Sequence, residues 1–318
     1  MTDAFDIDVL GAPYTQQTLH LGTDSEGEVV TTLVHLPADQ PTDRAVLHVH
    51  GFADYFFHTE YAEWWTARGY DFYAVDLRKY GRSLREHQTP NYVEDLNEYY
   101  EDLDAAWEAI TEGHTSVLAT AHSTGGLTLP LWLDDRQPAE LSGLLLNSPW
   151  LDMQGGAWLR SLPGRAALDQ IGVRQPRRVI PRTVNGYYTR SLHRDHEGEF
   201  DFNLDWKPMQ SWPVYAGWLR AVRQGHSKIH RGLSIAAPTL VLSSGRTASP
   251  SEMGEDVHSS DVVLDVRQIR RWASSLGSHV TSIGIEGARH DVVLSRPEVR
   301  AQVYAEIDGW LAAYVERP

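Results

Sequence analysis

Apolar positions along the chain change their period several times, and each change marks an element. The runs EVVTTLVHLP (28–37) and RAVLHVHG (44–51) are β-branched and aliphatic and close on proline or glycine, which predicts two strands. EYAEWWTARG (60–69) reads as a helix and DFYAVDLR (71–78) as a further strand. Between Asn91 and Glu112, Val93, Leu96, Tyr100, Leu103, Ala106, Trp107 and Ile110 fall at helical intervals, so a long helix is expected with its acids on a solvated face. Strands are expected again at VLATAH (117–122), LSGLLLNSP (141–149), PTLVLSS (238–244) and HVTSIGIEG (279–287), with a last helix from Pro297 to Val315. Strands alternating with helices predict an α/β fold, a mostly parallel sheet covered on both faces, with its working loops at the carboxyl ends of the strands.

Residues 151–235 interrupt this alternation. The stretch has weak strand signals, several arginines, and Trp158, Trp206, Trp212 and Trp218. The expected organisation is therefore a core built from 1–150 and 236–318, with 151–235 inserted into it. The tryptophans either line a substrate pocket or pack the insertion onto the sheet.

Composition narrows the classes of function. Of 318 residues, 42% are hydrophobic and 10% aromatic, as a folded chain requires. A formal charge of −15 argues against nucleic acid or an anionic membrane as electrostatic partner, and an acidic substrate would need a local basic pocket. With no cysteine there is no disulfide framework, thiolate nucleophile or sulfur-based zinc site. No secretory signal or membrane-length apolar run is visible, so a cytoplasmic, soluble protein is the default expectation.

The candidate chemistry starts at VLATAHSTGG (117–126). Ser123 follows a strand and precedes Gly125 and Gly126, a small-x-Ser-x-Gly spacing that lets a sharp strand-to-helix turn lift a hydroxyl above the sheet. An ordinary helix-capping serine is the plainer alternative. Upstream, the strand at 44–49 ends in His50-Gly51-Phe52, a turn that leaves backbone N–H groups facing outward. The N–H groups of Phe52 and Thr124 are then candidates for an oxyanion hole. His290, placed after the last strand and a break at Gly287, is the expected general base among 15 histidines. His122 is expected to pack under the turn, and His48 to lie in a buried strand.

A carboxylate should orient the imidazole, and the loop after 238–244 offers Glu252, Glu255, Asp256, Asp261 and Asp265. Asp261 is chosen because it just precedes LDVRQIRRWASSL, whose apolar spacing is helical and whose N-cap would be Asp265. Asp291 adjoins His290 and is poorly placed to fold back onto its ring. His193 and His196 stand three apart among acids in HRDHEGEFD (193–201), but without a helical context they are not assigned to a metal.

With HVHGF (48–52), DLRKYGRS (76–83), AHSTGG (121–126), LNSPWLD (146–152) and GARHD (287–291) in this order, the chain resembles the α/β-hydrolase superfamily, and within it the monoacylglycerol lipase and lysophospholipase-like group often described as serine aminopeptidase-like. The resemblance implies Ser123 as nucleophile, His290 as base, Asp261 as triad acid, Phe52 and Thr124 as oxyanion donors, and a cap over the nucleophile formed by 151–235. Two departures are Ala121, where the family usually has glycine, and a longer stretch before the acid, TASPSEMGEDVHSS. The expected activity is hydrolysis of a small-molecule carboxylic ester with an apolar acyl chain, through an acyl-enzyme and without a cofactor or metal. Alternatives are an amidase, peptidase or carbon–carbon bond hydrolase using the same triad, and a non-catalytic binding protein on the same fold.

Overall fold

The computed structural model describes residues 5–154 and 162–316. Nine strands form a single sheet: β1 (Asp6–Ile7), β2 (Thr15–Asp24), β3 (Gly27–Leu36), β4 (Arg44–Val49), β5 (Asp71–Asp76), β6 (Ser116–His122), β7 (Leu141–Asn147), β8 (Thr239–Ser244) and β9 (Val280–Ile285). Their order across the sheet is β1-β2-β3-β5-β4-β6-β7-β8-β9. The pairs β1/β2, β2/β3 and β3/β5 are antiparallel, and every pair from β5/β4 through to β8/β9 is parallel.

From β4 the chain steps first to β5 on one side and then across to β6 on the other. The connections leaving β4 and β6 thus diverge, which opens a crevice at the carboxyl ends of these two strands. Ser123 and Phe52 both follow those ends. The central strands β4, β6 and β8 are buried along almost their whole length because both faces are covered. Ala45, Leu47 and Val49 of β4 face one core with Leu103, Leu127 and Leu131, while Val46 faces the other with Phe72, Tyr61, Trp65 and Ile307.

The helices that cover these faces in the core are α1 (Thr59–Thr66), α2 (Glu98–Thr111) and α3 (Gly125–Arg136). Three more, α4 (Leu162–Arg174), α5 (Tyr187–Leu192) and α6 (Ala216–Ile229), lie between β7 and β8, where the described residues form helices, loops and isolated bridges but no strand of the sheet. Helix α6 runs against both α3 and α4. The set closes with α7 (Glu255–Ser259), α8 (Val266–Ala273) and α9 (Pro297–Trp310), the last continued by a π-helical turn, Leu311–Val315.

Two expectations are corrected. The helix anticipated from Asn91 begins at Glu98, because Asn91 adopts a left-handed φ of 61° and the chain turns there, still burying Val93 and Leu96. Asp102, expected on the solvated face of that helix, points inward instead and bonds the Arg78 guanidinium at 2.6 Å. Strand β2 was not anticipated: of TQQTLHLGTD only Leu19 is fully buried, so the segment shows no apolar alternation.

Candidate active site

Strand β6 ends at His122, and the next residue turns the chain sharply. Ser123 has a φ of 51°, a left-handed conformation that costs a side-chain-bearing residue about 1–3 kcal/mol. Neighbours hold it there: the Ser123 N–H donates to the Asn147 carbonyl at 3.1 Å, and its own carbonyl accepts from the Trp150 N–H at 2.9 Å. Helix α3 then departs so close to β4 that a Cβ on Gly125 would stand 2.7 Å from the Val49 carbonyl oxygen and nearer still to that of His50. Only glycine fits between two backbones. Ala121, by contrast, sits within β6, paired with Val49 and Leu146, where its methyl group is fully buried in the core.

The structure brings Ser123, His290 and Asp261 together. The Ser123 hydroxyl lies 3.0 Å from His290 Nε2, and His290 Nδ1 donates to Asp261 Oδ2 at 2.9 Å. Asp261 is fully buried, and its other oxygen accepts the N–H groups of Val263 and Leu264 at 2.8 and 2.7 Å. Backbone bonds from Asp261 to Arg246 and from Ala248 to Asp261, both 3.0 Å, anchor the long segment that follows β8. Asp265 does a different job: it caps α8 by accepting the Arg267 N–H at 3.0 Å and pairs with the Arg267 guanidinium.

Phe52 and Thr124 flank Ser123 on a cavity of about 350 Å³. Neither backbone N–H is taken up by another described residue. The turn that presents Phe52 is fixed by His50, whose Nε2 accepts the Leu77 N–H at 3.0 Å, so that Nδ1 carries the proton and donates to the Gly51 carbonyl at 2.8 Å. Burial lowers the His50 pKa and keeps this tautomer neutral.

Two buried charge clusters border the site. Lys207, from the segment before α6, places Nζ 2.7 Å from Asp54 Oδ1, two residues beyond Phe52. Burial would raise the Asp54 pKa, yet the adjacent ammonium holds it well below the usual carboxylate range. Asp291 turns away from the His290 ring: it bonds His58 Nε2 at 2.9 Å and Asn147 Nδ2 at 2.6 Å. Burial again opposes ionisation there, but His122 and His58 pull its pKa well down. His122 lies under the turn, 4.8 Å from the His290 ring, donating from Nδ1 to the Asn147 carbonyl at 3.2 Å. Burial lowers its pKa to about 4, so it is neutral at pH 7.

Of the three described tryptophans among the four singled out for substrate contact, Trp218 lines the cavity, its ring 4.5 Å from that of Phe52. Trp206 packs edge-on to Tyr55 at 5.1 Å, and Trp212 donates to the Trp206 carbonyl, so neither faces the cavity. Trp158 lies outside the described residues. His193 donates from Nε2 to the Phe202 carbonyl at 3.1 Å. Among the described residues no group of three or more His, Asp or Glu side chains is arranged to hold a metal.

Sequence reasoning passed over Asp54, Lys207, Asn147 and Trp150. Nothing in the local pattern of residues 203–210 marks Lys207, whose partner stands 153 positions away.

A sheet of this order with a serine turned out at its crevice is the architecture of an α/β-hydrolase, and solved structures agree. A soluble variant of the monoglyceride lipase of Saccharomyces cerevisiae, in complex with a substrate analog, superposes over 94% of this chain and 96% of its own, with a TM-score of 0.65 and 16% identity. The monoacylglycerol lipase of Paleococcus ferrophilus does so over 88% and 98%, with a TM-score of 0.64 and 18% identity. At such identities the likeness concerns the fold. The family is given by sequence: residues 40–296 match the model described as serine aminopeptidase, S33, and the chain belongs to that hydrolase family. A phospholipase of Bacillus subtilis, YtpA, is 28% identical over 120 residues, 37% of this chain and 44% of the relative, so the chain spans less than half of that relative's length. Among the described residues no helix is long and apolar enough to cross a membrane.

Proposed function

We propose that the protein is a serine hydrolase that cleaves carboxylic esters through a Ser123-His290-Asp261 triad. The observation that carries this reading is the 3.0 Å approach of His290 Nε2 to a serine held in a strained, outward-turned conformation. His290 takes the Ser123 proton as the hydroxyl oxygen attacks the ester carbonyl, and Asp261 stabilises the imidazolium and fixes its tautomer. The Phe52 and Thr124 N–H groups receive the oxyanion, a contribution of about 3–4 kcal/mol per donor to the transition state. As the tetrahedral intermediate collapses, the proton passes from His290 to the leaving alcohol. Water, deprotonated by the same imidazole, then attacks the acyl carbonyl and frees Ser123.

Residues 151–235 act in this reading as a cap. Trp218, Val214, Met209 and Tyr188 wall the cavity from that side and exclude water from the acyl group. The apolar part of a mixed lining, Phe52, Val214, Trp218 and Leu264, and the lipase names of the similar proteins favour acyl esters, while the family's description as an aminopeptidase makes amide cleavage the second reading. A series of 4-nitrophenyl esters of increasing acyl length, set against the matching anilides, tests both. Ester turnover that Ser123→Ala abolishes is the expected result; turnover of anilides alone would favour the second reading, and turnover of neither by folded protein would refute the proposal.

A further inference from the structure

Arg182 stands on the loop between α4 and α5 and lines the cavity that holds Ser123. The residue is exposed, at the mouth rather than the floor. Its guanidinium lies 5.5 Å from the centre of the Phe52 ring, on the residue whose N–H faces the developing oxyanion. One nitrogen, Nη2, makes both of its hydrogen bonds, to Ser211 Oγ at 2.9 Å and the Trp212 carbonyl at 2.7 Å. These bonds aim the group and leave Nε and Nη1 to donate elsewhere.

Several neighbouring cations are paired, although Arg178 bonds only the Gln175 side-chain oxygen. Arg177 meets Glu26 at 2.8 Å, Lys207 meets Asp54 at 2.7 Å, Arg190 meets Glu197 at 3.0 Å, and Arg194 meets Asp201 at 2.9 Å. Arg182 meets no carboxylate among the described residues. Within the cavity lining, Asp54 and Lys207 neutralise one another and His122 is uncharged at pH 7. Of the two cations in the lining, Arg182 is therefore the one without a carboxylate partner among the described residues, in a chain whose formal charge is −15. A neutral glyceride or simple alkyl ester offers this guanidinium neutral acceptors but no anionic partner. An oxyanion would gain charge-assisted hydrogen bonds from it, in a cleft that concentrates its field.

Resting on the reading of Ser123 as nucleophile, we propose that Arg182 is a specificity residue selecting esters that carry an oxyanion, a phosphate or a carboxylate, at the end remote from the scissile carbonyl. The apolar portion of such a substrate lies along Trp218 and Val214, and the anion stays at the mouth, partly hydrated. Positive charge there also draws such substrates in against the acidic surface, so the preference weakens with added salt.

The test is a ratio of kcat/KM values for matched substrates. One arm compares a 1-acylglycerol 3-phosphate with the same 1-acylglycerol; the other compares the 4-nitrophenyl ester of mono-adipic acid with that of its methyl ester. The wild-type protein is expected to prefer the anionic member of at least one arm, and the arm with the larger ratio identifies the oxyanion. Arg182→Gln should reduce that ratio about ten- to a hundredfold, and Arg182→Lys, which keeps the charge, should retain part of it. A general loss of folding would lower both members of a pair and leave the ratio intact. A wild-type ratio near one in both arms, or a ratio that Arg182→Gln does not change, overturns the assignment of Arg182 while Ser123-dependent turnover persists. Absence of turnover of every ester by folded protein would instead overturn the hydrolase reading beneath it.

Discussion

Replacing Lys207 with methionine strips a buried carboxylate of its cation. Asp54 exposes only 2% of its side chain and Lys207 only 6%, so water cannot take over the interaction. Removing one member of such a pair typically costs about 3–5 kcal/mol. The Lys207 ammonium also lies 5.6, 5.7 and 6.0 Å from the rings of Phe57, Tyr188 and Phe202, contacts of the cation–π kind that methionine replaces only in part. The double variant Asp54→Asn with Lys207→Met leaves no uncompensated charge, and its loss should be smaller than that of Lys207→Met alone. Urea unfolding of wild type, both single variants and the double closes the cycle, with an expected coupling of about 2–3 kcal/mol.

The pH dependence has a definite sign. In the wild type the Asp54 pKa is depressed, so its contribution is present above the ordinary carboxylate pKa and is lost as pH falls through the folded value. Without Lys207, burial raises that pKa, and the variant's deficit should shrink as pH falls towards 4 and the carboxyl takes up a proton. Because the pair ties the loop of Phe52 to residues 203–210, Lys207→Met should also reduce kcat on an activated ester. A deficit below about 1 kcal/mol at pH 7, or one that does not change with pH, would refute the reasoning.

Other outcomes follow from the same contacts. Asp261→Asn should lower kcat by about three to four orders of magnitude by fixing the His290 imidazole in the wrong tautomer, with Nε2 protonated, whereas Asp265→Asn should cost about 1 kcal/mol or less of stability and change kcat little; steady-state kinetics and thermal melts of the two variants separate these roles. Gly125→Ala, whose methyl group would strike two backbone carbonyls, should destabilise by about 2–3 kcal/mol or more and depress activity, read from urea unfolding and ester turnover. His122 and His226 are each buried with a pKa lowered to about 4 from the ordinary 6.5. The unfolded chain therefore takes up protons first, and stability should fall between pH 6.5 and 4 by about 3 kcal/mol for each; His226→Gln should flatten that slope in unfolding measured across pH.

Much of the sheet was legible because its central strands are buried on both faces and read as largely apolar runs, broken only by residues such as His48 and Thr120. Strand β2 was not, since only Leu19 of its residues is fully buried and its sequence is mostly Thr, Gln and His. The helix starting at Glu98 was overextended because Val93 and Leu96 are buried by a turn whose apolar spacing resembles a helix. The positions of Ser123, His290 and Asp261 could be chosen from the sequence because each lies just beyond a strand or just before a helix, where the chain has few places to go. Lys207 and Arg182 follow no such punctuation. Their relation to Asp54 and Phe52 arises only when the residues between β7 and β8 fold back over the crevice, a long-range contact that local periodicity does not encode.

The most direct measurement is labelling of the intact protein by a fluorophosphonate, read by peptide mass mapping together with the Ser123→Ala variant. One adduct per chain, located on Ser123 and abolished both by that substitution and by prior unfolding, is the expected result. Folded protein that remains unmodified, or that carries the adduct on another serine, would contradict the account.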